Sequence, residues 1–495
     1  MLREQRPGDS PITFASGSIA GSPRTESAAA FGGLRPALSL RLPRPQVRLG
    51  PRAGRIALAT LIFGTALVVL VATGGPSVLA PRSTMAFPSW DAGPLNLIVP
   101  RVLGNNTAVG ISYSGVLLIM FVAYLVAMAT LRTFSMRTLV IGVLALHAML
   151  LLAPPLQLND VFNYLGFAHL GGLHHLNPYV HTIRQESFDP VVHFSTWNNL
   201  RSPYGPLFSA LTYPLAFVSL PVAYWTIKLA TVLLSLAFLT LVWQCARQLG
   251  RDPRFAVVMV ALNPIYLLYA VGGFHNDFLM LVPMMGAISL LLSGRDRSAG
   301  AVLMLAVAVK FTAVLLLPFL VLAAVTRPRR LRVAVGALAG AIPLAALSVA
   351  LFGWTFPNLA QQSSLLTDFS IPNIVGVLIG AGGGAPWLLR VGSVIVVIVV
   401  AYWVYSRRDW LTGAGWSTVA LIASLSWLMP WYVIWLLPLA ALSSSLRLRR
   451  VAVAATLFLI LTMMPAANLF IQAHNINPLG GSAGQASLSE QNKLQ

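Results

Sequence analysis

The stretch 300-GAVLMLAVAVKFTAVLLLPFLVLAAVT-326 decides the fold of this 495-residue chain. Its apolar length exceeds the roughly 20 residues that a bilayer-spanning helix needs. Yet arginines flank it on both sides, at Arg295/Arg297 and at Arg327/Arg329/Arg330/Arg332. Positive clusters mark the cytoplasmic face of a membrane protein, so a single crossing would leave one cluster on the wrong side. Lys310 interrupts the middle of the stretch. A segment that enters the membrane, breaks at Lys310 and returns satisfies all three facts. Backbone that is not helical at that depth persists only where protein buries it or a cavity receives its polar groups.

The rest of the chain has the same character. It is 57% hydrophobic and 9% charged, with mean hydropathy +0.77. A soluble globular protein carries roughly 25% charged residues, so a water-soluble enzyme is excluded. The net charge of +20 comes from 33 basic against 13 acidic residues. In a soluble chain that excess would point to nucleic acid; here it records topology, and no nucleic-acid partner is expected. The single Cys245 rules out an internal disulfide or a cysteine metal cluster.

Hydropathy places spans at 56–73, 112–131, 138–153, 222–246, 255–271, 278–293, 333–352, 387–406 and 451–467. Shorter or broken apolar stretches lie at 206–220, 300–326, 371–380 and 416–446. The expected fold is an all-α polytopic membrane protein of roughly nine full spans plus several short or re-entrant helices. Residues 1–54 read as a disordered basic cytoplasmic tail, 55–467 as the transmembrane domain and 468–495 as a polar, poorly ordered tail. Arg132/Arg137, Arg247/Arg251/Arg254, Arg407/Arg408 and Arg447/Arg449/Arg450 set the cytoplasmic side, which leaves loop 154–205 on the outer face. Stretches 206–220 and 416–446 break at Pro221 and Met429-Pro430 as 300–326 does at Lys310. Three such breaks predict one shared polar cavity.

The chemistry-bearing residues gather on the predicted outer face. In a helical turn from Asp160, Asn163 and Tyr164 share its face by i, i+3, i+4 spacing. A carboxylate at the membrane boundary is costly unless paired or used, and burial would raise its pKa toward that of a general base; a helix cap or a structural ion pair is the other reading. His169, His174, His175, His181 and His193 follow, at spacings that match no standard zinc pattern. Asn177-Pro178-Tyr179 and Arg201-Ser202-Pro203-Tyr204-Gly205-Pro206 are rigid turns whose tyrosines either anchor an interface or stack on a sugar. Gly272-Gly273-Phe274-His275-Asn276-Asp277 is a second polar cluster, either a plain capped turn or part of a site shared with Asp160. Ten residues of helix, about 15 Å, carry Lys310 to mid-bilayer, where it can meet a phosphate or pair with Asp277. Lys228, near the outer surface, is expected to snorkel.

Taken in order, Asp160-Val161-x-x-Tyr164, Asn177-Pro178-Tyr179, Ser202-Pro203-Tyr204-Gly205-Pro206, Asn263-Pro264, Gly272-Gly273-x-His275-Asn276-Asp277, Ala308-Val309-Lys310 and Met429-Pro430-Trp431-Tyr432 resemble a known pattern. It is that of the actinobacterial polyprenyl-phosphomannose-dependent alpha-1,6-mannosyltransferases, within the membrane-embedded C-type glycosyltransferase superfamily. The resemblance runs from about 138 to 467, and the chain departs from it at Asp277, where members often carry Glu. It implies a C-type glycosyltransferase-like bundle in the plasma membrane, with a polyprenyl-phosphate-linked mannose donor and a glycan or glycolipid acceptor. It further implies inverting transfer to an alpha-1,6 product on the outer face. Asp160 would be the base. Lys310, Arg201 and His275, in that order, would meet the donor phosphate. Asn163, Tyr164, Asn177, Tyr179, Tyr204, Asn276, Asp277 and Tyr432 would contact sugar or acceptor. Some relatives use a divalent cation, which Asp160 and Asp277 could share through oxygen ligands; the metal question stays open at this point. Two alternatives also stay open: another lipid-linked sugar on the same fold, and a lipid transporter or flippase.

Overall fold

The computed structural model describes residues 50–81, 87–96, 106–358, 365–380, 386–406 and 409–495. Most of the expected basic tail, and the Arg407/Arg408 pair, lie outside the described residues. Among the described residues every regular element is a helix, as the absence of alternating apolar patterns requires.

Among the described residues four helices are long and apolar enough to cross a membrane: Pro51–Ala72, Asn106–Ala129, Leu220–Gln248 and Arg327–Phe352. A fifth span arises if Leu446–Met463 and Pro465–Ala473, bent by 58° at Met464-Pro465, count as one. Three further predicted spans are present as shorter apolar helices, Met136–Leu152, Asp277–Leu292 and Arg390–Ser406, and one is broken. The cause is local. Predicted span 255–271 is split into Pro253–Ala261 and a wider π-helical turn over Tyr266–Val271. At the split, the Asn263 carboxamide oxygen accepts from the Ile265 and Tyr266 amides at 3.0 and 3.3 Å, and its nitrogen donates to Thr456. Pro264 follows it, and the pair replaces the helical ladder there.

Around Lys310, helix Asp296–Val309 stops, a tight 3-10 turn runs over Phe311–Leu316, and Leu317–Ala323 leads back. Lys310 itself is extended, at φ −146°. The arginines clustered at 327–332 have a structural use as well. Asp296, with no exposed side-chain surface, accepts from Arg329 and Arg332 at 2.8 and 3.0 Å. Those hydrogen bonds hold its carboxyl below the usual range against burial. They pin helix Asp296–Val309 to Arg327–Phe352.

Two expectations about the ends change. The first helix begins at Pro51, inside the expected tail. Residues 468–495 are ordered into the end of Pro465–Ala473 and a further helix, Ser482–Leu494. The polar composition hides an inward face: Leu479, Ser487 and Leu494 are buried.

Candidate active site

The cavity sits where the broken elements meet. It has a volume of about 500 Å³, within the roughly 300–1,000 Å³ of small-molecule sites. Asp160, Tyr164, Tyr204, His275, Asn276, Asp277, Lys310 and Tyr432 all line it, as do Trp431 and Trp435. Sequence positions some 270 residues apart are therefore one site. Two of the three predicted breaks, at Lys310 and before Pro430, supply its walls. The stretch leading to the third, 206–220, is tied in at its start by the Gly205 amide, which donates to the Val309 carbonyl at 3.0 Å. A side chain at 205 would collide with the Ala308 carbonyl, so glycine there is required by close approach.

Asp160 opens helix Asp160–Gly172. The segment before it is seated by two backbone bonds, Leu156 to the Gly272 carbonyl and Gln157 to the Leu79 carbonyl. Asp160 and the 272–276 turn are thus held together from the start of the helix. The Asp160 side chain is 17% exposed, toward the cavity. Burial pushes its carboxyl up to about 6; Lys310 opposes that rise and Asp277 adds to it. His275 lies 3.6 Å from the Asp160 carboxylate, beyond hydrogen-bond range. Its ring stacks on Trp431 with centroids 3.6 Å apart. Burial, then Lys310, lowers the His275 pKa well below the ordinary value, so it offers an N–H rather than a charge.

Asp277 starts helix Asp277–Leu292 and has no exposed side-chain surface. One of its oxygens takes both the Lys310 ammonium at 2.8 Å and the Trp435 indole N–H at 2.6 Å. Its other oxygen and both polar atoms of the Asn276 side chain are buried without a partner among the described residues. Buried polar atoms are nearly always satisfied, so these leave hydrogen-bonding capacity unmet at the cavity lining. The Tyr164 hydroxyl accepts from the Asn276 amide at 3.3 Å. Lys310, 19% exposed, keeps donors free beyond the one that Asp277 takes.

Other predicted residues lie elsewhere. Arg201 is exposed and outside the cavity lining. Asn163 is buried and donates to the Trp197 carbonyl at 3.1 Å. Asn177 donates to the Phe352 carbonyl and Thr355 at 2.7 and 2.8 Å, and the Tyr179 hydroxyl donates to the Tyr204 carbonyl. That motif clamps loop 154–205 onto helix Arg327–Phe352. The histidines stabilise the same loop: His169 and His174 both bond Asp189, at 2.8 and 2.9 Å. Against the effect of burial, bonds from His169, the Val191 amide and His174 hold Asp189 down at about 2.

Lys228 does not snorkel. It is fully buried, with its ammonium 3.7 Å from the Trp225 ring centroid, 4.8 Å from Tyr224 and 5.1 Å from Phe274. Aromatic faces stand in for water around a cation, and Phe274 brings the 272–276 turn to it. Trp435 lines the cavity and donates to Asp277, a placement that the sequence reading missed. A tryptophan in an apolar helix reads as core, and only its i+3 spacing from Tyr432 hinted at a shared face.

No three or more His, Cys, Asp or Glu converge as a cation site among the described residues. Asp277 is already neutralised by Lys310. Asp160 and Asp277 are the two carboxylates in the cavity lining.

Comparison with known proteins gives the site a context. Residues 61–326 match the model of a family described as alpha-(1->6)-mannopyranosyltransferase, N-terminal domain. An alpha-(1->6)-mannopyranosyltransferase A of Mycobacterium tuberculosis is 30% identical over 280 residues, covering 50% of this chain and 53% of that protein. A probable alpha-(1->6)-mannopyranosyltransferase of Mycolicibacterium smegmatis is 25% identical over 369 residues, 62% of this chain and 66% of its own. The similarity thus spans about half to two thirds of these two relatives. No solved structure matches.

Proposed function

The chain belongs to the alpha-(1->6)-mannopyranosyltransferase family, and from that premise we propose that it transfers mannose from a polyprenyl-phosphate donor to a glycan or glycolipid acceptor on the outer face of the cell membrane. The observation that carries this reading is the pairing of a basic carboxylate with a cation in one cavity. Asp160, raised to about 6, faces the same space as Lys310. That space continues into an apolar wall from helices Pro386–Ser406 and Trp410–Ser424, including Val396 and Leu421. A lipid phosphate fits such a junction: its charge at Lys310, its chain against the apolar wall.

In this reading the donor's phosphate lies at Lys310 and its sugar faces Asp160. The acceptor hydroxyl attacks the anomeric carbon, the bond from that carbon to the phosphate oxygen breaks, and Asp160 takes the hydroxyl proton. The phosphate leaves as an anion stabilised by Lys310 in a site that is largely shielded from water. Attack opposite the leaving group inverts the anomeric centre, giving an alpha product from a beta donor. Asn276 and Asp277 hold sugar hydroxyls through their unpartnered atoms. Neutral His275 offers a further N–H.

The test uses the purified full chain, polyprenyl-phosphate-linked mannose and an alpha-1,6-oligomannoside. Extension of the oligomannoside by one alpha-1,6 mannose is expected. Transfer of another sugar from its polyprenyl phosphate, with mannose refused, would place the chain elsewhere on the same fold. Movement of labelled lipid across a vesicle membrane without sugar transfer would replace the reading by a flippase.

A further inference from the structure

The cavity's charged residues, Asp160, Asp277 and Lys310, all belong to the site already described. Its lining also includes Trp197, Leu200, Leu365 and Trp427, a rim without charge. We propose that this rim is the acceptor subsite, that it takes a neutral hexopyranoside stacked on Trp197 and Trp427, and that helix Ser482–Leu494 holds it in shape. The proposal rests on the transferase reading for the word acceptor, and on geometry for the rest.

The rim is assembled from three distant pieces of chain. The two indoles meet edge to face, with centroids 5.7 Å apart and planes at 86°. Such a corner leaves aromatic faces for the C–H side of a sugar ring, while its hydroxyls point to polar groups. Segment 365–367 is tied to 426–428 by the Thr367 amide on the Ser426 carbonyl at 3.0 Å and by the Leu428 amide on the Thr367 hydroxyl at 3.2 Å.

Helix Ser482–Leu494 then braces both sides. The Ser487 hydroxyl accepts from the Leu366 amide at 2.8 Å, and Gln491 donates to the Leu366 carbonyl at 3.1 Å. The Leu494 carbonyl accepts from the Asn199 amide at 2.9 Å. Leu494 itself packs in one cluster with Leu200, Leu365, Trp197 and Trp427.

The rim is also registered against the base. Asn163 lies one helical turn beyond Asp160 and donates to the Trp197 carbonyl. Asn159, just before Asp160, donates to the Phe194 carbonyl at 2.8 Å and accepts from Thr196 at 2.6 Å. A sugar seated on Trp197 is therefore positioned by the same helical turn that carries the proton acceptor. This gives Asn163 a positioning role. None of these four rim residues is charged, which suits a neutral glycan better than an anionic one.

The experiment titrates the full chain in detergent with alpha-1,6-mannotriose, without donor, and reads intrinsic tryptophan fluorescence beside thermal melting. Saturable binding is expected for the wild type. Trp427→Leu should weaken it about tenfold and Trp427→Phe by no more than about threefold, since the phenyl ring keeps part of the stacking face. Leu494→Asp, outside the cavity lining, should also weaken it with the melt above the working temperature. Absence of binding in the wild type, or binding by a folded Trp427→Leu within twofold of wild type, overturns the proposal. If Trp427→Leu does not fold, protection of Trp427 from oxidation by the trisaccharide in the wild type decides: protection supports the subsite, and none overturns it. Saturable, Trp427-dependent binding with no mannose transfer would sink the transferase reading while leaving the sugar subsite standing.

Discussion

Replacing Lys310 by Met removes the cation from a carboxylate that has no exposed surface. Asp277 would keep one partner, the Trp435 indole at 2.6 Å. Removing one member of a buried ion pair costs about 3–5 kcal/mol. The retained indole bond offsets part of that, so Lys310→Met should destabilise the fold by about 2–4 kcal/mol. Adding Asp277→Asn removes the stranded charge and should recover most of that loss. Transferase activity should not recover, because the phosphate's counter-charge is still missing. The assay is thermal or denaturant unfolding of the wild type, both single variants and the double variant in one detergent, with transfer rates alongside. A double variant less stable than Lys310→Met, or one with restored transfer, would refute the reasoning.

The pH dependence of kcat/KM should follow Asp160. A base must be ionised, so activity is lost as pH falls through about 6, and an acid limb near the ordinary carboxylate value would contradict the burial described. The stability sign is the reverse: a carboxyl raised by folding favours the folded state less as pH rises from the unfolded value near 3.8 through about 6. Asp160→Asn should therefore melt at pH 7 no lower than the wild type in calorimetry. Trp435→Phe keeps the ring stacked on Tyr432 but removes the N–H on Asp277; Lys310 is then drawn more fully to Asp277, and the donor KM should rise several-fold in initial-rate measurements. Asp296→Asn should lower stability by an amount near the lower end of roughly 3–5 kcal/mol, because both partner guanidiniums reach water, with kcat unchanged in protein that remains folded.

Much of this architecture could be read from side-chain chemistry alone. A lysine in an apolar run, arginines on both flanks and prolines after short apolar stretches locate the breaks, since each violates a rule that unbroken spans obey. Asp160 and the His275-Asn276-Asp277 turn stand out for the same reason. What stayed hidden depends on which way a side chain points after packing. Asn177 and Tyr179 mark a turn, and turn chemistry tells where the chain bends, not what it faces. Asn263 ends a helix that hydropathy counts as continuous, because an average over many apolar neighbours conceals one amide. Lys228 looked accessible by its sequence distance from Pro221, yet Trp225, Tyr224 and Phe274 converge on it only in three dimensions. In Ser482–Leu494, polar and charged residues outnumber the apolar ones, while Leu494 and Ser487 decide the docking.

The proton acceptor is the centre of the proposed mechanism. The decisive measurement is the initial rate of mannose transfer by purified Asp160→Asn against wild type, at saturating polyprenyl-phosphate-linked mannose, with donor binding measured separately. A base contributes roughly 10²–10⁴-fold, so a fall of that size with donor affinity held within a few-fold is expected. A rate within about threefold of wild type would contradict the assignment of Asp160, and with it the mechanism built on this cavity.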